Sequence, residues 1–352
     1  VAVDKHGDHL PLERQVQRMR RAGLEVTSQT LWDQELRLAT LLTPSYEALH
    51  DWMLDSHEVL GADETWWRMM QKGPSRRWWA WSLSAPDGLY FDLLPSRGQD
   101  AAKVVLRDFS GTLVVDGLST YAALEKAASK GGVQLPLDGS QPPRLPDFLL
   151  ACCWAHARRY FIKAEKNWPG AAEALDMIAE LYAIEAKAAA LPGTETERLE
   201  GLRQLRATES RPVTERLHAW MLAQRPIPGL SLHEAIRYSL ERWGALTVFL
   251  DDPRVPLDNN QTEQGLRGPV LGRLNFQGVR SVRGARVASI LYTLIGTCKR
   301  QNIEPWAYLV FAARWAIDRP GTVTLPHDYP RLAAEAAEDE KRKAAEARAR
   351  AS

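Results

Sequence analysis

The chain has 352 residues, of which 45% are apolar, and its formal net charge is +1. This size and composition indicate a globular protein of two or three domains, and the near-neutral charge excludes a uniformly basic, histone-like binder. The three cysteines exclude a disulfide framework and indicate a reducing compartment. The sequence shows neither a signal peptide nor an apolar run near the roughly 18 residues that span a bilayer, so we expect a cytoplasmic protein without membrane contacts.

Residues 10–56 have a helical periodicity and predict helices with a break at Gly23. Ser28 or Thr30 is expected to cap the helix that follows the break. The two short helices that meet at Gly23 resemble a helix-turn-helix, whose second helix would bind in a DNA groove. A helical hairpin that packs on the next domain fits the pattern equally well.

From residue 57 the pattern changes to short apolar runs typical of strands. The first run is expected to end at Asp63, and two later runs flank a Pro-Asp-Gly turn signal and predict a hairpin. The elements expected next, in chain order, are a helix near 98–108, a strand over 112–116, a helix over 121–129, a strand over 148–153 and a helix over 155–165. Three strands followed by alternating units predict an α/β fold with a mixed sheet and helices on its faces.

Residues 166–250 have amphipathic helical patterns throughout and contain no catalytic motif, so they predict an inserted all-helical subdomain. Ser231 and Glu234 are expected to form a capping box at its last helix. From Arg331 the sequence is rich in Ala, Glu, Lys and Arg, which predicts a solvated helix or a disordered tail.

Two aspartates, Asp63 and Asp116, stand at the ends of predicted apolar strands, where a carboxylate is costly unless something compensates it. Neighbouring carboxylates repel each other, and a divalent cation with oxygen ligands is the usual remedy. Glu263 would complete such a site from the first turn of a helix. Turn formation or helix capping explains the aspartates equally well, and a capping box with Asn260 would explain Glu263.

Glu263 also stands at the edge of a positively charged window, because no acidic residue occurs between it and Glu304. The basic residues of this window are Arg267, Arg273, Arg280, Arg283, Arg286, Lys299 and Arg300. Such a cluster fits a polyanionic ligand, since Lys and Arg that neutralise phosphates release condensed counterions. A solvated basic surface fits the charge pattern alone equally well.

Another group of polar residues begins with Cys153 and His156. These two side chains alone do not make a zinc site, because a structural zinc site has four ligands. We expect structural hydrogen bonding there, with contacts to the active site or to DNA as the alternative. Arg158 and Arg159 follow directly and are expected to contact phosphates. The tryptophans of residues 66–81 are expected to be core residues, although stacking on unpaired bases is the other use of such side chains.

Four motifs together resemble the insertion sequence 66 family of bacterial DDE transposases (transposase C type). They are DET at 63–65, VDGLSTY at 115–121, CWAHARRYF at 153–161, and PLDNNQTEQGLRGPVLGRLNF from Pro256 with TCKRQNIEPWAYL from Thr297. The resemblance extends from about His9 to Leu309. It implies a ribonuclease-H-like α/β core, with a mixed sheet and flanking helices, that is interrupted by the helical insertion. The expected segments are a helical N-terminal region (1–56), the first part of the core (57–165), the insertion (166–250), the end of the core (251–318) and a tail (319–352).

The resemblance also implies the chemistry. Asp63, Asp116 and Glu263 correspond to the DDE triad and would hold two Mg²⁺ (or Mn²⁺) ions per active site, for cleavage of DNA at transposon ends and strand transfer into target DNA. Asn259 and Asn260 are expected to support the site beside Glu263.

The partners implied by the resemblance are double-stranded DNA, further copies of the chain in a homodimer or higher oligomer, and accessory proteins of the element. When bound to DNA, the protein would be associated with the nucleoid. Two other functions remain open at this point: a domesticated or inactive relative that binds DNA without cutting it, and a ribonuclease-H-like nuclease without a strand-transfer step.

Overall fold

The structure is a computed structural model that describes residues 1–70, 76–129 and 146–351. Within these ranges the strands are β1 (Val59–Met69), β2 (Arg76–Ser84), β3 (Leu89–Leu94), β4 (Ser110–Val115) and β5 (Asp147–Cys152). They form one sheet in the order β3-β2-β1-β4-β5. Strands β2 and β3 are antiparallel, whereas β4 runs parallel to both β1 and β5. The predicted α/β fold with a mixed sheet is therefore confirmed, as is the hairpin at the Pro-Asp-Gly turn.

The helices follow the predicted order closely. The first six, the last of which directly follows β5, are α1 (Leu12–Arg21), α2 (Ser28–Leu41), α3 (Thr43–Ser56), α4 (Gln99–Leu106), α5 (Ser119–Ser129) and α6 (Trp154–Glu165). The next are α7 (Ala172–Ala189), α8 (Glu195–Leu205), α9 (Arg211–Ala223), α10 (Ser231–Glu241) and α11 (Trp243–Thr247). The last are α12 (Asn260–Phe276), α13 (Val282–Arg300), α14 (Pro305–Asp318) and α15 (Tyr329–Ala351). In the described part of the chain, no helix combines the length and the apolar character needed to cross a membrane.

The chain forms two compact units. The first unit comprises residues 1–56, 64–97 and 265–352, and the second comprises residues 57–63 and 98–264. The chain passes from one unit to the other after residues 56, 63, 97 and 264, and the second and fourth of these points lie within β1 and α12. The predicted helical insertion lies wholly in the second unit, together with β4 and β5.

The first unit covers its edge strand, β3, with a helix. Ser289, Thr293 and Thr297 lie four residues apart on α13, so their hydroxyl groups share one helical face. These hydroxyl oxygens accept hydrogen bonds of 2.8–3.0 Å from the backbone N–H groups of Leu93, Phe91 and Leu89. Four helical residues rise about 6 Å and two strand residues about 6.7 Å, so the two repeats stay in step. Donors that an edge strand would otherwise expose are thereby satisfied.

Strand β1 differs from its prediction, because it continues past Asp63 to Met69. The prediction that the strand ends at Asp63 is therefore wrong. Every second side chain is buried up to Glu64, and the alternation then resumes one position out of phase at Trp67 and Met69. The buried Glu64 carboxylate is compensated by Arg97, whose guanidinium donates to it at 2.6 and 2.8 Å. A charged residue that would stop an apolar strand is accommodated by this partner.

Two predicted helix caps are also wrong. Thr27, rather than Ser28 or Thr30, caps α2 and accepts a hydrogen bond from the Thr30 N–H at 3.1 Å. Ser231 is the first residue inside α10, and Glu234 pairs with Arg237 instead of closing a capping box. The observed caps, Thr27 and Leu230, lie one residue before Ser28 and Ser231, and Thr27 lies three residues before Thr30.

The N-terminal helices and the tryptophans have structural contacts. Helix α2 contacts α1, α13 and α14 within the first unit, so the hairpin is packed against its neighbours. Trp67 and Trp81 are buried, as expected of core residues, whereas Trp66 is exposed. Whether residues 10–42 contact DNA stays a prediction. The C-terminal segment is the solvated helix α15, one of its two predicted forms.

Candidate active site

The two aspartates of the candidate site occupy equivalent positions on neighbouring parallel strands of the second unit. The β1–β4 register pairs Gly61 with Val114, and Asp63 and Asp116 each follow two residues later. Adjacent strands lie about 4.8 Å apart, so the two carboxylates start from neighbouring backbone positions. Asp116 forms a tight turn, in which one carboxylate oxygen accepts a hydrogen bond from the Leu118 N–H at 3.0 Å. The aspartates therefore stand at equivalent places on adjacent strands, and their use in a shared metal site stays a prediction.

The first turn of α12 docks against the same part of β1. Asn259 Nδ2 donates to the carbonyl oxygen of Ala62 at 2.9 Å. A Cβ atom at Gly61 would lie 2.0 Å from Thr262 Oγ1, so only a residue without a side chain allows this approach. Side chains alternate along a strand, and Asp63 therefore points to the same face as Gly61, towards the turn that carries Glu263.

We expect Gly61→Ala to inactivate the site, because the new methyl group would push the Thr262 turn away from β1. The matched control is Gly244→Ala in α11, where an added Cβ meets no atom within 4 Å. DNA cleavage and thermal unfolding of both variants would measure the effect. Thr262→Ala in the Gly61→Ala background removes the clashing Oγ1 and should restore part of the activity. A fully active Gly61→Ala variant would show that the close approach is unnecessary.

The Glu263 carboxylate faces two basic side chains of α6. Arg159 Nη2 donates to its two oxygens at 3.2 and 3.3 Å, and His156 Nδ1 lies 3.7 Å from Oε1. Burial lowers the pKa of His156, the Arg159 charge lowers it further, and the carboxylates of Asp116, Glu263 and Asp258 oppose this shift. His156 is therefore a neutral ring among the acidic side chains. Since its Nε2 lies 2.9 Å from Arg159 Nη1 and must accept, Nδ1 carries the proton on the side of Glu263.

The donor types of the candidate triad fit a hard divalent cation, because Mg²⁺ prefers carboxylate oxygens. Across the described residues, however, no group of three or more His, Cys, Asp or Glu side chains is gathered closely enough to hold a metal ion. Glu263 is paired with Arg159 instead. The Glu263 and Arg159 side chains are 31% and 55% exposed, so their ion pair contributes only about 0–1 kcal/mol to stability. Replacing either partner by another ion therefore costs little free energy.

Supporting residues join the elements of the site. Cys153 Sγ accepts a hydrogen bond of 3.2 Å from the Asn259 N–H, and burial raises the pKa of this thiol to about 11. A protonated, buried thiol in this contact supports the structural role expected for Cys153. Asn260 donates through its N–H and its Nδ2 to Asp258, at 3.0 and 2.7 Å. Sequence reasoning did not single out Asp258 or Thr262, although both stand in the motif that contains Glu263.

Comparison with known proteins assigns the family. The sequence profile named "Transposase IS66 family" matches residues 1–287. The chain belongs to this family.

Three relatives of this IS66-family chain come from Sinorhizobium fredii, and each is described only as an uncharacterized protein. The protein y4jD is 32% identical over 88% of this chain and 60% of its own length. The protein y4hP is 29% identical over 95% of this chain and 62% of its own length, and y4qI is 31% identical over 88% and 57%. The chain thus spans about three fifths of the length of these relatives.

The basic residues predicted to bind DNA fall into two groups in this family member. The exposed ones are Arg158, Arg159, Arg267, Arg280 and Arg283. The others have structural partners within the first unit: Arg273 lies 4.1 Å over the Trp66 ring, Arg286 pairs with Glu47 at 2.7 Å, Lys299 donates to the Gly7 carbonyl at 2.7 Å, and Arg300 donates to Ser84 Oγ at 2.7 Å. The exposed group is the better candidate for phosphate contacts.

Proposed function

We propose that this chain is the catalytic part of a DDE transposase, which cleaves DNA at the ends of its element and joins those ends to target DNA. The observation that supports the proposal is the placement of Asp63 and Asp116 on neighbouring parallel strands, with the turn that carries Glu263 docked on β1 beside Gly61 and Ala62. Family membership supports it. The mixed sheet with helical neighbours is consistent with the ribonuclease-H-like core proposed here.

Asp63, Asp116 and Glu263 would hold two Mg²⁺ or Mn²⁺ ions, which supply activation of the attacking oxygen and charge stabilisation of the leaving oxygen. Arg159 would exchange its partner, from the Glu263 carboxylate to a DNA phosphate. The neutral His156 would keep its Nδ1–H directed at Glu263 without adding a competing positive charge. The exposed Arg158 and Arg159, which belong to the same unit as the three carboxylates, would hold the DNA backbone and so fix the scissile strand relative to the carboxylates.

The proposed substrate is double-stranded DNA in the cytoplasm, where the protein would be associated with the nucleoid. Two transposon ends must be brought together for strand transfer, so we propose a homodimer or a higher oligomer on DNA. Accessory proteins of the element are further proposed partners.

A relative that binds DNA without cutting it is the second candidate. It is favoured by the ion pair between Glu263 and Arg159 and by the lack of a gathered three-ligand group among residues 1–70, 76–129 and 146–351. In such a protein the acidic residues would only shape the surface beside the DNA.

A cleavage and strand-transfer assay separates these functions. The chain is incubated with Mg²⁺ or Mn²⁺ and with DNA that carries the terminal inverted repeats of its element, or a scrambled version of them. Metal-dependent cleavage at the repeats, followed by joining to a target plasmid, is the expected result. Binding without cleavage would support the second candidate, and cleavage without joining would indicate a nuclease that lacks the transfer step.

The two groups of basic residues should respond differently to mutation. Arg283→Ala removes an exposed charge, so we expect weaker DNA binding without loss of stability. The slope of the logarithm of the binding constant against the logarithm of the salt concentration should be smaller in magnitude by about one. Arg300→Ala leaves Ser84 Oγ and the Ala85 carbonyl without their donor, so it should mainly lower thermal stability. Fluorescence anisotropy at several salt concentrations and thermal unfolding measure the two effects. Unchanged DNA binding in Arg283→Ala would remove this residue from the proposed interface.

A further inference from the structure

The helical insertion contacts the turn that carries Asp116. Tyr238 of α10 donates its hydroxyl hydrogen to the Asp116 carbonyl oxygen at 2.9 Å. Gly117 has a φ of +97°, and a Cβ there would lie 2.7 Å from the Tyr238 hydroxyl oxygen. Arg242 stacks over the Tyr238 ring, with 4.4 Å between the guanidinium carbon and the ring centroid. The turn after β4 is thus fitted against one tyrosine of the insertion.

A second tyrosine of the insertion contacts the segment that leads into Glu263. Tyr182 of α7 donates its hydroxyl hydrogen to Asp258 Oδ2 at 3.0 Å. The same carboxylate accepts the N–H of Asn260, the first residue of α12, at 3.0 Å. One carboxylate therefore links α7 to the helical turn that carries Glu263.

The chain upstream of Asp258 is held by the insertion as well. Arg206 directly follows α8, and its side chain is 1% exposed. Its Nη1 lies 2.7, 3.1 and 3.0 Å from the carbonyl oxygens of Phe249, Asp252 and Val255. The segment that returns from the insertion to α12 therefore enters the site from a fixed direction.

Both tyrosines remain donors at neutral pH. Burial raises the pKa of Tyr182 and of Tyr238 above the ordinary value, and neighbouring acidic groups act in the same direction. Each hydroxyl group thus keeps its proton and its hydrogen bond.

We infer that the helical insertion is part of the active-site scaffold and that Tyr182 and Tyr238 are positioning residues, which hold the Glu263 turn and the Asp116 turn respectively. The catalytic consequence rests on the proposed function. Neither tyrosine contacts DNA or a reacting atom in this scheme. Each acts through the backbone or the carboxylate that it holds, so the insertion determines where two of the three acidic side chains start.

The test compares Tyr182→Phe, Tyr238→Phe and the double variant with the unmodified chain. Thr194→Ala is the matched control, because it removes the capping box of α8 within the insertion but lies outside the site. Hydrogen exchange of residues 116–118 and 257–263 reports the positioning directly and needs no activity. The kcat for DNA cleavage, the Kd for DNA and the Tm complete the comparison.

We expect faster exchange of residues 257–263 in Tyr182→Phe and of residues 116–118 in Tyr238→Phe. For each variant we expect kcat to fall by about tenfold, the usual effect of losing a residue that orients a metal ligand, at an unchanged Kd for DNA. Thr194→Ala should lower the Tm without either change. Unchanged exchange in both segments would overturn the inference, and so would faster exchange with an unchanged kcat. If the unmodified chain does not cleave DNA, the proposed function fails, whereas the exchange data still decide whether the tyrosines hold the turns.

Discussion

Glu263→Gln is expected to lower the rate of DNA cleavage by about a thousandfold or more, because a neutral amide replaces the carboxylate that we propose as a metal ligand. A loss of about 4 kcal/mol of transition-state stabilisation corresponds to that factor. The side chain keeps its size and an oxygen that Arg159 can contact, so folding and DNA binding should be unchanged. Single-turnover cleavage of end DNA at saturating Mg²⁺ measures the loss.

The matched control is Glu180→Gln on α7, which removes a carboxylate that is paired with Arg216 on the surface of the insertion. This control should cleave DNA at the unmodified rate. Cleavage by Glu263→Gln at a similar rate would show that Glu263 is not a ligand. Asp116→Asn should reproduce the loss, since this aspartate belongs to the same proposed metal site.

Arg206→Ala is expected to lower the free energy of unfolding by about 3 kcal/mol, the lower end of the usual result for a buried ion pair, because Glu185 is 22% exposed and water can hydrate it in part. Both oxygens of Glu185 lose their donors, at 2.7 and 2.8 Å, and three backbone carbonyl groups lose theirs. Arg206→Lys should recover only part of this loss, because an ammonium group lacks the planar fork of a guanidinium. Urea unfolding followed by circular dichroism measures the change.

Arg216→Ala is the control for Arg206, since its ion pair with Glu180 is exposed and should contribute only about 0–1 kcal/mol. Equal effects of Arg206→Ala and Arg216→Ala would contradict the role of Arg206 as a buried anchor. A selective loss of cleavage in Arg206→Lys, with little loss of stability, would add support for its hold on the segment that enters α12.

The local parts of the fold were predictable because their signals are local. The Pro-Asp-Gly turn predicts the β2–β3 hairpin from three adjacent residues, and the apolar run before Asp116 predicts β4. The extent of β1 was not predictable in this way. The length of β1 depends on the pairing of Glu64 with Arg97, which lies 33 positions away in the sequence. No feature of the β1 sequence predicts this pairing.

The candidate site divides in the same manner. A motif identifies Glu263 with Asn259 and Asn260, and resemblance assigns Asp63 and Asp116. The sequence does not predict the contacts of the two tyrosines. Tyr182 and Asp258 are separated by 76 positions in the sequence, and Tyr238 and Asp116 by 122 positions. Sequence patterns likewise could not distinguish the exposed arginines from those with structural partners. The partners of Arg286 and Arg300 lie 239 and 216 positions away in the sequence.

The most direct test of the proposed metal site is the metal dependence of DNA cleavage by Asp116→Cys. A thiolate is a softer ligand than a carboxylate and binds Mg²⁺ poorly, but it accepts Mn²⁺ more readily. We predict that Asp116→Cys is inactive with Mg²⁺ and regains cleavage with Mn²⁺ at a pH near 8.5, where about half of an ordinary thiol is ionised. Cleavage by Asp116→Cys that is equal with both ions, or absent with both while Asp116→Asn stays active, would contradict a metal ligand at this position.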